Sequence, residues 1–163
     1  MRNLLIWVKE RRRLSLLLRS LSYVSVTLIA AAGAVTVYSA YRASLLSAVG
    51  LLISLGVPFV AVTLLRRIIN AARPYEVYSD VFDTVPKRRS GASFPSRHAY
   101  SAFAIAVCAF PVSAYLGCAL LIISAVLCVS RVLLGVHFVR DVAAGALIGI
   151  ISQIIGLLLI QPF

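Results

Sequence analysis

The sequence predicts an all-α fold: a polytopic membrane helical bundle of about five transmembrane helices, with short interfacial helices beside them. Three observations predict it. Hydrophobic residues fill 61% of the 163 positions and charged residues only 13%, whereas a soluble domain carries about 25% charged residues. Mean hydropathy is +1.00. The charges are bunched between long uncharged runs, and runs of about 20 residues suit helices that satisfy their own backbone in lipid. A chain of this length makes one domain, residues 1–163.

Each element follows from the spacing of charge. Residues 1–19 form a basic segment in which 4–18 alternate apolar and basic patches, the pattern of an amphipathic helix lying along the interface. Residues 20–41 are the first uncharged run. Ala30-Ala31-Ala32-Gly33 within it mimics a signal cleavage site, but the run continues to Tyr41, longer than a signal core, so it reads as a retained span. Residues 43–65 form the second span, separated from the first by Arg42. A polar, proline-containing segment runs from Arg66 to His98. Inside it Tyr78, Val81, Phe82 and Val85 keep helical spacing, with Glu76, Asp80 and Asp83 opposite. Those three acids read either as a carboxylate metal site or as a solvated face pairing with Lys87, Arg88 and Arg89. The solvated face is preferred, because no further ligands converge there. Residues 99–130 carry no charge and exceed one span, so they divide near Pro111 into helices over about 98–111 and 114–130. The last span covers about 141–160.

Counting crossings puts the amino terminus, the 66–98 segment and the 131–140 segment on one face. Fifteen of the sixteen basic residues lie there and only Arg42 lies opposite, which places that face in the cytoplasm of a multi-pass cell-membrane protein. Tyr38, Tyr41 and Tyr115 fall at the far interface, as an aromatic belt would. The formal charge of +11 points to anionic membrane lipids and phosphate esters as partners. Nucleic acid is excluded as a partner, since the basic residues interrupt apolar spans rather than cover a soluble face. Cys108, Cys118 and Cys128 sit in apolar stretches with no CxxC pair and no metal-ligand spacing; they read as packing residues.

Three clusters mark the span ends on the basic face: Arg66 with Arg73-Pro74, then Pro95-Ser96-Arg97-His98, then Ser130-Arg131 followed by His137 and Asp141. Both histidines are among them. His137 and Asp141 are four apart, so on one helix they share a face. The carboxylate then fixes the imidazole tautomer and leaves the other nitrogen nucleophilic. Arg66, Arg73 and Arg131 offer planar forks that match phosphate oxygens, the stabilisation that phosphoryl transfer needs most. His98 is placed to protonate a leaving oxygen. Ser96 alone reads as a helix cap for the next span. Ionisable groups at bilayer depth are costly, and their conjunction on one face points to function.

These residues resemble the three-part signature of the type-2 phosphatidic acid phosphatase family, the lipid branch of the superfamily that includes vanadium haloperoxidases. The signature reads K-x6-R-P, P-S-G-H and S-R-x5-H-x3-D, and the likeness runs in order from Arg66 to Asp141. The resemblance implies a lipid phosphate substrate, phosphatidate, phosphatidylglycerophosphate or an isoprenyl diphosphate, hydrolysed without metal or other cofactor. It implies His137 as the nucleophile forming a phosphohistidine, Asp141 as its orienting partner, and His98 as the acid that later activates water. Arg73, Ser96 and Arg131 would hold the phosphate. Arg66 stands where lysine is usual, keeping charge and adding a fork. Arg97 stands where glycine is usual, keeping the backbone amide and bringing a bulkier side chain to the headgroup entrance. A cytoplasmic site favours glycerolipids over the carrier lipid. With five spans against six in larger members, an early family helix is expected to be missing. Two other functions compete: phosphoryl transfer from a lipid to another acceptor at the same site, and a catalytically silent lipid-binding or transport protein. The intact His98, His137 and Asp141 argue against the silent one, and so apolar a chain argues against a soluble vanadate enzyme.

Overall fold

In the computed structural model, which describes residues 1–82 and 91–160, every regular element among the described residues is helical. Asp83 and the Lys87, Arg88 and Arg89 group lie outside the described residues. The basic amino-terminal segment divides. Arg2–Glu10 is a separate helix, α1, whereas the residues from Arg12 onward belong to a continuous helix, α2, Arg12–Ala43. The expected interfacial helix over 4–18 is therefore only half separate. At 32 residues α2 is about 48 Å long, so its basic first turns extend past a core of about 30 Å.

The remaining helices are α3 (Leu45–Ile69), α4 (Pro74–Val77), a 3-10 turn (Ser79–Val81), α5 (Arg97–Cys108), α6 (Ala114–Leu133) and α7 (Val139–Leu159). Among the described residues four helices, α2, α3, α6 and α7, are long and apolar enough to cross a membrane. The expected fifth span is the short one. α5 has 12 residues, about 18 Å, and ends in the turn around Pro111, where Ser113 caps α6 by accepting from the Leu116 amide. It sits at the centre, packed on α2, α3, α6 and α7. Its own residues allow this: Ala99, Ala102, Ala104 and Ala106 are buried, and small side chains let helices in lipid approach closely. Gly145 and Gly149 of α7 complete the approach, because a Cβ at either would meet the Ser96 or Tyr100 carbonyl oxygen at 2.4 or 2.5 Å.

A proline inside α3, Pro58, has no N–H to give the Ser54 carbonyl four residues back. In lipid such a freed group needs a neighbour. Gln153 of α7 supplies it, donating from Nε2 to the Ser54 oxygen at 2.6 Å and accepting at Oε1 from the Ser54 hydroxyl and the Cys108 thiol. One residue on, the Leu55 carbonyl accepts from the Tyr100 hydroxyl at 2.8 Å. The break in one helix is thus closed by two others.

At the basic end, α1 buries Leu5 and Val8 and packs on the 3-10 turn and α6. Arg2 reaches Asp80 through two nitrogens, at 2.6 and 3.0 Å, and holds that carboxyl below its ordinary range. Glu76 accepts from the Arg73 and Gly91 amides. Among the described residues neither of these two carboxylates gathers ligands, and the expected pairing with Lys87, Arg88 and Arg89 falls outside them.

Candidate active site

The end of α3 shapes the loop that follows. Asn70 closes the helix in the left-handed region, φ 44°, a conformation that asparagine tolerates. Its side chain accepts from the Ala92 amide at 3.1 Å. Residues 91–96 are laced to this turn. The Ser93 amide donates to the Ala71 carbonyl at 2.8 Å, and Arg73 Nε donates to the Gly91 carbonyl at 3.1 Å. Arg66, only 5% exposed, donates to the Pro95 carbonyl at 2.9 Å and to that of Ala92. The arginine expected to clamp phosphate thus holds the backbone of the second cluster.

The second cluster forms the start of α5. Ser96 is its N-cap, accepting from the Ala99 amide at 3.4 Å, and its own amide donates to the Asp141 carbonyl at 2.9 Å. Arg97 and His98 are exposed at the first turn. His98 lies in electrostatic range of Arg131, His137, Arg97 and Arg66, so the three clusters meet at one end of the bundle.

The third cluster turns between α6 and α7. The Arg131 carbonyl accepts from the Val136 and His137 amides at 3.0 and 3.4 Å, which pins His137 beneath the end of α6. Gly135 makes the turn with φ 68°, where a Cβ would meet Phe82 at 2.7 Å, so glycine is required there. The Tyr75 amide, just past Arg73, donates to the Gly135 carbonyl at 3.2 Å and ties the first cluster to the third.

Here the structure corrects one expectation. His137 and Asp141 do not share a helix face, because α7 begins at Val139 and Phe138 is its cap. Asp141 turns back, and its Oδ2 accepts from the Phe138 amide at 2.9 Å and from the Ser93 hydroxyl at 2.5 Å. His137 Nδ1 consequently stands 3.7 Å from Oδ2, beyond a good hydrogen bond, and 3.4 Å from Ser93 Oγ. Ser93, Asp141 and His137 are 0%, 0% and 1% exposed. With Nδ1 facing these two, Nε2 is the nitrogen left for chemistry. Burial pushes the imidazole below its ordinary value, Arg73 and Arg66 push the same way, and Asp141 opposes them. The ring is therefore neutral near pH 7.

Sequence reasoning missed Ser93. It lies three residues before Ser96, in a stretch of serine, glycine and proline that reads as a turn, and nothing in its spacing from His137 marks it. Two apolar concavities lie apart from these residues. One of about 550 Å3 lies between α2 and α3, lined by apolar residues such as Gly33, Val37, Tyr38 and Leu52.

The family model described as the PAP2 superfamily matches residues 44–162. Among solved structures, the chain is similar to the crystal structure of a transmembrane PAP2-type phosphatidylglycerolphosphate phosphatase from Bacillus subtilis. The TM-score is 0.66 at 24% identity, over 89% of this chain and 75% of that one. Among curated proteins, none matches.

Proposed function

The chain belongs to the PAP2 superfamily, and on that premise we propose that it is an integral membrane phosphatase that hydrolyses a lipid phosphate through a phosphohistidine. The observation that carries this reading is His137: buried, neutral, its Nδ1 turned to Ser93 and Asp141, its Nε2 free to attack. A phosphoryl group approaching Nε2 enters the field of Arg66 and Arg73, whose charges act on the same ring. Arg131 adds a third, on the residue whose carbonyl holds the His137 amide. Arg73 and Arg131 offer their forks to the charge on the three equatorial oxygens, and Arg66, whose nitrogens hold the Pro95 and Ala92 carbonyls, acts through its charge. Ser96 and the Arg97 amide, at the first turn of α5, complete the cradle. In the forward step the Nε2–P bond forms, the bond from phosphorus to the lipid oxygen breaks, and that oxygen takes a proton from His98. In the return step His98 takes a proton from water, the water oxygen binds phosphorus, and the Nε2–P bond breaks. Protein groups alone carry both steps, so chelators are expected to leave the rate unchanged.

The substrate class is a phosphomonoester or pyrophosphate lipid: phosphatidate, phosphatidylglycerophosphate or an isoprenyl diphosphate. The charge asymmetry that puts Arg42 alone on the far side supports a cytoplasmic site, which favours the glycerolipids. The test is phosphate release from a panel of these lipids by purified wild type and His137→Ala. Loss of release by at least about 1,000-fold in the variant is expected. Equal rates would remove His137 as nucleophile, and product carrying phosphate on another acceptor would make the protein a transferase. Labelling a cysteine placed at Arg42 from each side of sealed vesicles tests the orientation.

A further inference from the structure

The contact between the nucleophile and its carboxylate is indirect, and what fills the gap is a hydroxyl. Ser93 Oγ lies 2.5 Å from Asp141 Oδ2 and 3.4 Å from His137 Nδ1. A carboxylate only accepts, so the serine proton points to Asp141. The Ser93 oxygen then has its lone pairs left, and the group facing them is Nδ1. We propose that Ser93 is a positioning residue that relays between Asp141 and His137: its oxygen accepts the Nδ1–H of His137 while its hydroxyl donates to the Asp141 carboxylate.

This rests on the phosphohistidine reading above, and it deepens it. A relay of this order fixes one tautomer, Nδ1 protonated and Nε2 bare, without moving a proton during the reaction. When Nε2 bonds to phosphorus, positive charge develops on the ring, and the polarised hydroxyl passes the carboxylate's stabilisation to it. A direct Nδ1–carboxylate bond is not made, and Asp141 has another duty. The same Oδ2 caps α7 through the Phe138 amide, and that geometry holds it 3.7 Å from Nδ1. Ser93 is equally constrained, since its amide is bonded to Ala71 and the Ala92 carbonyl before it to Arg66. The charged groups that act on the ring are Arg66 of α3, Arg73 and Asp141 of α7; His98 of α5 also faces it, and Arg131 of α6 holds the His137 amide through its carbonyl. Among these Asp141 is the one anion, so the path from it matters.

The experiment measures lipid phosphate release and its pH profile for wild type, Ser93→Ala, Ser93→Thr and His137→Ala, purified in the same detergent. Ser93→Ala is expected to lose about 100-fold in kcat, as for a reacting group freed from its orientation, and Ser93→Thr, which keeps the hydroxyl, to recover most of it. The acid limb of kcat/KM moves to lower pH in Ser93→Ala, because the protonated ring loses its link to the carboxylate. A serine that merely ties the loop to α7 would lower the melting temperature and leave that limb in place. Ser93→Ala and Asp141→Asn combined are expected to cost no more than the larger single loss, as residues acting as one unit do. If the alanine variant fails to fold, Ser93→Cys, near in size and a weak donor, carries the same comparison. Wild-type rate and an unmoved limb in Ser93→Ala, beside an inactive His137→Ala, would overturn the relay alone. An active His137→Ala would overturn both the relay and the nucleophile.

Discussion

Replacing Gly145 by alanine tests whether the close approach of α5 to α7 sets the spacing of the site. The added Cβ would lie 2.4 Å from the Ser96 carbonyl oxygen, 3.1 Å from Ala99 Cβ and 3.2 Å from the Tyr100 amide nitrogen. The first two neighbours belong to the turn that begins α5, and the nearest is backbone, so no side chain can swing aside. Restoring ordinary contact, which begins at 3.4 Å, requires α5 to move away by about 1 Å. That movement also stretches the 2.9 Å bond from the Ser96 amide to the Asp141 carbonyl. Overpacking of this kind costs about 1–3 kcal/mol in stability, and a misplacement of about 1 Å at reacting groups costs about 100-fold in rate. The assay is phosphate release in detergent beside a thermal melt. Gly56→Ala is the control, since nothing lies within 4 Å of a Cβ there; its rate should match wild type. A Gly145→Ala enzyme working within about twofold of wild type, against the 100-fold expected, would refute the idea that this contact positions Ser96 and His98 against Asp141.

Three further outcomes are expected. Arg66→Ala removes the donor from the Pro95 and Ala92 carbonyls, at about 1–3 kcal/mol for each group left unsatisfied, and a thermal melt should show Arg66→Lys recovering only part of it. Gln153→Leu strips the Ser54 carbonyl of its partner and should destabilise by about 1–2 kcal/mol, the scale of interhelical hydrogen bonds in lipid, read by denaturation in mixed micelles. Because burial holds His137 below the imidazole value of 6.5, the acid limb of kcat/KM should fall below that pH. The same depression makes the unfolded chain take up the proton first. Its stability contribution is therefore present above 6.5 and lost as pH falls toward the folded value, which melts across about pH 5 to 8 would follow.

The helices were legible because each uncharged run had to be long enough for lipid, and the clusters were legible because charged groups are rare at such depth. Their ends were less so. α2 begins at Arg12 rather than residue 20, since arginine is a good helix former and snorkels, and a charge count reads such a residue as the end of a span. The fifth helix is short because α5 starts at the site itself, where Ser96 caps it. The pairing of His137 with Asp141 was right as a neighbourhood and wrong as a helix face, since spacing of four says nothing about where the helix begins. Ser93 was illegible for a different reason. Its place depends on the loop being pulled to α3 by Arg66 and Asn70, a tertiary event with no periodic trace. The resemblance pointed to His137 and Asp141 and could not supply the Ser93 hydroxyl that lies against both.

The polar contact around Pro58 acts as a ruler. Ser54 lies twelve residues from Arg66 along α3, and Gln153 lies twelve from Asp141 along α7, about 18 Å in each case at 1.5 Å per residue. The two helices run in opposite directions, so both counts lead from the same buried rung to the same membrane face. A slip of either helix by one turn would break that rung and at the same time shift Arg66 past Asp141 by about 5.4 Å. The depth at which Arg66 and Asp141 stand is thereby referenced to a point inside the bilayer. A lipid of different thickness can tilt the bundle without changing the offset between the two.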